Sequence, residues 1–350
     1  MNWHSGNSRK DMKKHYIARK YRKKVAPFND KMNNIRIDLC ADYEKILEKY
    51  MEPLIRQRKS KDDAVMDFFR MQTRLIDMRP RIIHKAKALR CPAGYEEKLQ
   101  YLEEHIVKGK NLLPFMTKSI TNLNREDMLL YDWGIYHFHI SDKKEDKSIF
   151  MERSDYLLLV YVQGADIYFL DIVSHDLPTS KLWADKRYLD IIRENWPNLL
   201  ERFILKEYRS VETFDDKETY RLRKNGALLL SQWGEDGVIF SPGGGYASDN
   251  SPIRAVQSRD FWLDRISDLE RAWVEVFGRE VLDAIQKTPS CEDIEYVDIE
   301  MVSCSGTEFW FVEKQTHLMF VVNYENDLWT IQCVNKRVQK MRDEELVVEF

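Results

Sequence analysis

The feature that most limits how this chain can fold is a pair of apolar runs joined by a very short connection. Residues 156–162 read YLLLVYV and residues 167–173 read IYFLDIV, with Gly164 in the connection between them. Two β-rich runs separated by a short glycine-containing segment are typical of a β-hairpin. Because the first run is apolar at every position, we predict a central strand that is covered on both faces of its sheet.

A third strand is predicted just before this hairpin. From Leu129 the apolar residues no longer recur with the 3.6-residue period of a helix and approach the two-residue period of a strand. Within residues 135–140, large apolar side chains alternate with imidazoles. Successive side chains of a strand point to opposite faces, so His137 and His139 should share one face while the apolar side chains occupy the other. His175 stands just past the second arm of the hairpin. The sequence therefore predicts histidines at one small sheet.

In the segment before these strands, apolar residues recur with the period of an amphipathic helix. Apolar residues recur at spacings of three and four in residues 40–50 and 65–76, and residues 60–63 read as a capping box in front of the second segment. A further helix is predicted between Gly94 and Gly109. Residues 31–120 are therefore predicted to be mostly helical.

The C-terminal part of the chain contains segments with the helical period and segments with the strand period. Short strands are predicted at 227–231 and 238–240, a helix at 258–277 closed by Gly278, and a strand meander over 294–323. The predicted fold class is α+β. Its predicted organisation is a basic arm (1–30), a helical region (31–120), an antiparallel-sheet domain (121–205) and a C-terminal α+β domain (206–350).

Composition is that of an ordinary globular protein. The 350 residues are 43% hydrophobic and 32% charged, which excludes a disordered or collagen-like chain, and the length suggests two or three domains. The longest apolar run, 156–162, is too short to span a bilayer, and the basic N-terminus lacks the apolar segment of a secretory signal. We expect a cytoplasmic protein with no membrane partner. The cysteines are odd in number and never spaced as CxxC, which favours a reducing compartment and no structural zinc.

Positive charge is concentrated at the N-terminus. Nine basic residues against two aspartates give residues 1–30 a local charge of +7, although the whole chain carries -3. Such a segment can neutralise nucleic-acid phosphates, and the alternative is a solubilising arm or an exposed helix face. The residues predicted to contact RNA are Arg9, Lys10, Lys13, Lys14, Arg19, Lys20, Arg22, Lys23 and Lys24.

The strand pattern from Gly134 to His175 resembles the C-terminal half of RelE/ParE-type toxins. In those toxins a G-x-Y-R-x-R strand precedes a Y-R-V-x-Y-x-V strand, a tight turn and a strand that ends in a basic residue. Here the first strand reads GIYHFHIS, so His137 and His139 stand where the family often has arginines. The resemblance implies a RelE-like sheet and a metal-independent ribonuclease, in which basic residues assist attack of the RNA 2′-hydroxyl on the adjacent phosphate.

Histidines suit that reaction. An imidazole with a pKa near 6.5 can accept a proton from the hydroxyl in one form and donate one to the leaving oxygen in the other. A cation must also offset the charge that grows on the phosphorus centre, and Arg153 or Lys147 could supply it. The candidate catalytic residues are His137, His139, His175 and Arg153, and no cofactor is expected.

Other interpretations of the same residues stay open. The two histidines could lie on a solvated strand face, or they could bind a metal together with His175 and Asp171 or Asp176.

Two further motifs have weaker functional interpretations. Residues Arg79 to His84 have the R-x4-H spacing of HEPN ribonucleases, in which both residues meet on one helix, but Pro80 fits poorly inside a helix. The glycine-rich segment 241–246 could cradle a phosphate, although it lacks the endings of known phosphate loops, and a flexible turn is the alternative.

The sequence thus favours an RNA-cleaving or toxin-like effector of a toxin or antiphage defence system. The alternative from another class is a non-catalytic component that binds RNA or protein in a bacterial defence or stress system. In either case an inhibitory or activating protein partner is possible.

Overall fold

A computed structural model describes residues 34–55, 63–209, 214–235, 237–247, 249–287, 291–325 and 328–334. The nine predicted RNA-binding residues of the arm and most of the predicted capping box lie outside these described residues. The helix that follows the box begins after Asp63, whose carboxylate accepts a hydrogen bond from the Met66 amide at 2.7 Å. Within the described part of the chain, no helix is long and apolar enough to cross a membrane.

Helices and strands alternate irregularly along the chain. In order, they are β1 (Ile35–Arg36), α1 (Leu39–Met51), α2 (Ala64–Gln72), β2 (Ile82–Lys85), α3 (Glu96–Val107), two short 3-10 turns (Leu113–Phe115 and Lys118–Thr121), a π-helical turn (Leu129–Trp133), β3 (Ile135–His139), β4 (Tyr156–Gln163), β5 (Asp166–Ser174), α4 (Thr179–Ala184), α5 (Arg187–Asn195), a 3-10 turn (Glu201–Phe203), β6 (Ile204–Lys206), α6 (Asp216–Lys224), β7 (Ser231–Trp233), β8 (Gly237–Ile239), α7 (Ile253–Ala272), a π-helical turn (Trp273–Phe277), α8 (Gly278–Gln286), β9 (Val297–Ser305), β10 (Glu308–Glu313), β11 (Met319–Glu325) and β12 (Leu328–Val334).

The described residues form two compact units, and the fold is a mixture of helices and several sheets. One unit contains residues 34–42 and 266–334, and the other contains residues 43–265. The first unit therefore joins segments that are distant in sequence, because β1 pairs in parallel with β9. The predicted boundaries at 120/121 and 205/206 both lie inside the larger unit.

The larger unit is built around a four-stranded sheet in the order β2-β5-β4-β3. β3, β4 and β5 form an antiparallel meander, and β4 lies inside the sheet between the other two. Leu158 and Val160 pack in a cluster with side chains of α3, while Leu157 and Leu159 pack with side chains of α4 and α5. Both faces of β4 are thus buried, as its unbroken apolar sequence predicts.

β2 lies within the region predicted to be helical. It pairs in parallel with β5 and forms an edge of the sheet, with Ile83 opposite Ile167. Pro80 disfavours helix in the residue before it, and the β-branched pair Ile82-Ile83 favours a strand. Arg79 is bonded to Asp77, whereas His84 pairs with Asp166 at 2.7 Å. The R-x4-H residues therefore do not meet on a helix.

Two further sheets complete the described fold. β6, β8 and β7 form a small antiparallel sheet in the larger unit, and β1, β9, β10, β11 and β12 form the sheet of the smaller unit. The predicted meander over 294–323 corresponds to β9, β10 and β11, to which β12 adds a strand.

The predicted helix end at Gly278 is wrong. Gly278 has φ -62° and starts α8, so the chain continues in a helical conformation after the π-helical turn. A Cβ at this position would lie 1.8 Å from Cδ1 of Ile35. The glycine is therefore needed because Ile35 approaches the backbone closely, and not because the helix ends in a left-handed cap.

Candidate active site

Three segments of the central sheet meet at one end of its meander. His139 is the last residue of β3, Arg153 lies just before β4, and His175 directly follows β5. In an antiparallel meander the end of one strand lies beside the start of the next, so these three positions share one end of the sheet. The His175 amide donates to the Asp155 carbonyl at 2.7 Å, which continues the pairing of β5 with the segment before β4.

The side chains of these three residues lie close together. The rings of His139 and His175 have centroids 5.8 Å apart and planes inclined by 8°. Nη2 of Arg153 lies 3.0 Å from both ring nitrogens of His175. Arg153 is exposed and His175 is half-buried, whereas His139 is buried. We call His139, His175 and Arg153 the sheet-end cluster.

His137 lies on the same face of β3, two residues before His139. Its side chain is 9% exposed, its ring centroid is 5.1 Å from that of Trp183, and its Nδ1 is 3.9 Å from an oxygen of Asp127. The histidine face is not solvated, because α4 and α5 pack on the same side of the sheet. Both members of the predicted pair are therefore buried, whereas His175, whose ring lies beside that of His139, is half-buried.

Burial controls the protonation of the two β3 histidines. Loss of hydration is the largest cause that lowers the pKa of His139 to about 4, and the neighbouring His137, His175 and Arg153 lower the pKa further. The pKa of His137 is also lowered by burial, against the carboxylate of Asp127, which raises it. The Ser154 amide donates to Nδ1 of His139 at 3.4 Å. At neutral pH, His139 is therefore uncharged with its proton on Nε2.

This shift predicts a pH-dependent stability. In the unfolded chain His139 takes up a proton near pH 6.5, whereas in the folded chain it stays neutral until about pH 4. Above pH 6.5 His139 is neutral in both states and does not reduce stability. As the pH drops from about 6.5 to about 4, burial of this imidazole lowers the free energy of unfolding by about 3 kcal/mol. Urea unfolding between pH 7.5 and 4 should show a smaller fall for His139→Gln than for the wild type. Parallel profiles for the two proteins would contradict the prediction.

The described residues do not complete a metal site around these histidines. Among the described residues, no group of three or more histidine, cysteine, aspartate or glutamate side chains is arranged to hold a metal ion. Asp171 lies in register with Leu159, which in turn is in register with His137, so it is two strand spacings, or roughly 10 Å, from that histidine. An oxygen of Asp171 is 3.0 Å from Arg187.

The two remaining polar candidates, Asp176 and Lys147, are exposed side chains. Asp176 is exposed, and its amide donates to the Ser174 hydroxyl at 3.2 Å. Lys147 is exposed in a turn of the loop before β4, with φ 55°. Of the two cations considered from the sequence, Arg153 is the one for which the described contacts include a histidine.

The glycine-rich segment has a structural role. Its amides are already used: that of Gly243 donates to the Asp132 carbonyl at 2.7 Å, that of Gly245 to the Tyr131 carbonyl at 2.7 Å, and that of Gly244 to the Ser241 carbonyl at 2.9 Å. A phosphate loop needs amides that point at the ligand. The segment is instead hydrogen-bonded to the π-helical turn before β3.

Gly243 should tolerate no side chain. A Cβ at this position would lie 2.1 Å from the carbonyl oxygen of Leu130 and 2.5 Å from that of Tyr131. Gly243→Ala must therefore displace the segment from the π-helical turn, at an expected cost of about 2–3 kcal/mol in the free energy of unfolding. Chemical denaturation measures this cost directly. A loss below about 0.5 kcal/mol, the range of ordinary surface substitutions, would disprove this account of the glycine.

A buried ion pair also involves the π-helical turn before β3. Asp132 pairs with Arg223 and accepts a hydrogen bond from the Ser241 hydroxyl, and both charged side chains are almost fully buried. The guanidinium carbon of Arg223 lies 4.0 Å from the centroid of Trp133. Sequence reasoning missed this pair, because no local pattern links residues so distant along the chain.

A cavity of about 360 Å³ opens beside His137. Its wall includes the apolar side chains of Met116, Ile120, Met128 and Leu130, the aromatic side chains of Tyr136, Trp183 and Tyr220, and the charged side chains of Arg74, Arg125, Glu126, Asp127 and Lys224. Of these residues, Arg125 and Lys224 are exposed. Sequence analysis assigned no functional role to Asp127 or Trp183, because neither belongs to a recognisable motif.

No protein-family model, no curated protein and no solved structure matches the chain.

Proposed function

We propose that the chain is an endoribonuclease of toxin-like type, which cleaves RNA through attack of the 2′-hydroxyl on the adjacent phosphate without a metal ion. The observation that carries the proposal is the sheet-end cluster, in which two histidines and an arginine from three segments lie together and remain partly open to solvent. Acid–base catalysis with a neighbouring cation requires this combination of groups.

The proposed step assigns one role to each side chain. His175 is half-buried and accepts the proton of the 2′-hydroxyl as the O2′–P bond forms. The P–O5′ bond breaks, and O5′ takes a proton from His139, so that the products are a 2′,3′-cyclic phosphate and a 5′-hydroxyl. Arg153, which contacts His175, offsets the charge on the phosphate oxygens. Although burial lowers the pKa of His139, an anionic phosphodiester bound beside it raises that pKa and favours the protonated donor.

The sheet supports a RelE-like layout within the larger unit. β3, β4 and β5 form a three-stranded antiparallel meander in the chain order that the toxin resemblance implies, with α3 packed on one face and α4 and α5 on the other. We propose that this meander is the catalytic sheet of a cytoplasmic effector that acts in a toxin or antiphage defence system.

The basic arm belongs to the same proposal. Its nine lysines and arginines would contact RNA phosphates outside the sheet-end cluster. Replacing these nine residues by glutamine in the full chain should lower RNA affinity and make it less dependent on salt, because fewer counterions are released on binding. RNA affinity with an unchanged salt dependence would remove the arm from the proposal.

Burial of His137 and His139 favours the second candidate function, a non-catalytic component that binds RNA or protein. Both side chains are less than one-tenth exposed, and burial lowers both pKa values. A neutral buried imidazole can serve packing and hydrogen bonding as well as catalysis. Under this alternative the chain binds RNA or a regulatory protein in a defence or stress system.

A cleavage assay in EDTA distinguishes the two functions. The purified chain is incubated with end-labelled RNA and with the same RNA carrying a single 2′-deoxy nucleotide, and His175→Ala is purified and assayed in parallel. We expect cleavage with 2′,3′-cyclic phosphate ends, no cleavage after the 2′-deoxy position, and strongly reduced cleavage by the variant. RNA binding without cleavage would favour the second function. Cleavage that is equal in the wild type and the variant would remove the proposed centre.

A further inference from the structure

The cavity beside His137 has the features of a ligand site. Its volume of about 360 Å³ lies within the usual range for small-molecule sites. Nδ1 of His137 is buried and has no hydrogen-bond partner among the described residues, and the nearest carboxylate oxygen, on Asp127, is 3.9 Å away. A buried polar atom without a partner costs free energy, and a bound ligand that hydrogen-bonds to it would recover that cost.

The walls of the cavity match one kind of ligand. Trp183 and Tyr220 supply aromatic surface, and both side chains are only partly buried. Arg125 and Lys224 are exposed and supply positive charge at the rim. An aromatic surface beside cations suits a flat, apolar ring system attached to an anionic group, which is the chemistry of a nucleotide.

The second oxygen of Asp127 adds a polar contact inside the cavity. Oδ1 accepts a hydrogen bond from the Leu130 amide at 3.1 Å, which fixes the carboxylate, and Oδ2 is the oxygen near His137. A carboxylate accepts hydrogen bonds from ring N–H or amino groups of a base. His137 and Asp127 can therefore hydrogen-bond to the edge of a base that lies in the cavity and contacts Trp183.

We propose that this cavity binds one unpaired nucleotide, with the base inside against Trp183 and the phosphate at Arg125 and Lys224. The proposal rests on the proposed function, because His137 and His139 are two residues apart on one face of β3, so a base held at the first places the RNA backbone near the sheet-end cluster. The cavity would thus select and position the nucleotide at which the chain is cleaved.

Direct binding of mononucleotides tests the proposal without any cleavage step. Calorimetric titration of the full chain with each of the four ribonucleoside 3′-monophosphates should show binding, and the matching nucleosides and inorganic phosphate should each bind more weakly. Trp183→Leu should weaken nucleotide binding about tenfold or more, and Trp183→Phe, which keeps an aromatic ring, should retain most of it. Lys224→Gln should weaken it about two- to fivefold.

Two substitutions away from the cavity serve as matched controls. Trp196 packs against Tyr168, and Lys108 pairs with Glu104 on α3, and neither residue lines the cavity. Trp196→Leu and Lys108→Gln should leave nucleotide affinity unchanged, and thermal unfolding should show that every variant is folded.

The outcomes separate this inference from the proposed function. Absence of binding by all four nucleotides, or binding that folded Trp183→Leu and Lys224→Gln leave unchanged, would overturn the cavity proposal even if RNA is cleaved. Nucleotide binding that depends on Trp183 in a chain that cleaves no RNA would support the cavity and overturn the nuclease.

Discussion

Replacement of Arg223 by leucine should lower the free energy of unfolding by about 3–5 kcal/mol at neutral pH. The substitution leaves Asp132 buried without its cation, and burial already raises the pKa of this carboxyl group even with Arg223 present. The Ser241 hydroxyl alone cannot replace the hydration that the carboxylate loses on folding. The variant also loses the contact between the guanidinium and Trp133.

The cost of this substitution should depend on pH. Burial raises the pKa of Asp132 in the folded state, so folding is penalised at pH values at which this carboxyl group is ionised in the unfolded chain. The loss of stability is therefore largest at neutral pH. It should shrink as the pH falls toward 4, where the unfolded Asp132 also takes up a proton. Urea unfolding of the wild type and the variant at pH 7 and pH 4.5 measures the difference.

A double variant provides the control for this prediction. Arg223→Leu combined with Asp132→Leu removes both charges, and such apolar replacements of a buried pair are often close to neutral. We expect the double variant to regain most of the lost stability. Equal destabilisation of the single and double variants would show that shape, and not the unpaired carboxylate, accounts for the loss.

The second large effect is expected on catalysis. His175→Ala should reduce the rate of RNA cleavage about 10²- to 10⁴-fold, because the proposed proton acceptor is lost. His175 is half-buried at the end of β5, so its removal should change stability much less than activity. Single-turnover cleavage of a labelled RNA measures the rate, and thermal unfolding verifies the fold.

His105→Ala is the matched control for this experiment. His105 is a half-buried histidine of α3, whose ring packs against Phe115, and α3 covers the sheet face opposite the histidines. Its removal should leave the cleavage rate within about twofold, as expected for a residue outside the site. A similar loss of activity in both histidine variants would indicate a general structural effect and contradict the role of His175.

The strand pattern was sufficient to predict the centre of the fold. An unbroken apolar run is compatible with burial on both faces, and β4 is indeed covered on both. The alternation in β3 likewise assigns His137 and His139 to one face, because side chains two apart on a strand always share a face. The first conclusion follows from the hydrophobic pattern of the strand, and the second from local backbone geometry.

Contacts between distant segments were not predictable in this way. The parallel pairing of β2 with β5, the packing of Ile35 on Gly278, and the buried pair of Asp132 and Arg223 join parts of the chain that share no local pattern. The same holds for the side chains of Trp183 and Asp127 beside His137.

The sequence by itself determined which residues of the meander share a face, that Arg153 lies between two strands and that His175 follows the second arm of the hairpin, since these depend on the period of a strand and on chain order. Tertiary structure alone decided that the histidine face is covered by helices, that burial lowers the pKa of His139 to about 4, and that a cavity opens beside His137. Hydration and cavity shape depend on which distant segments pack together, and a local pattern contains no information about that packing.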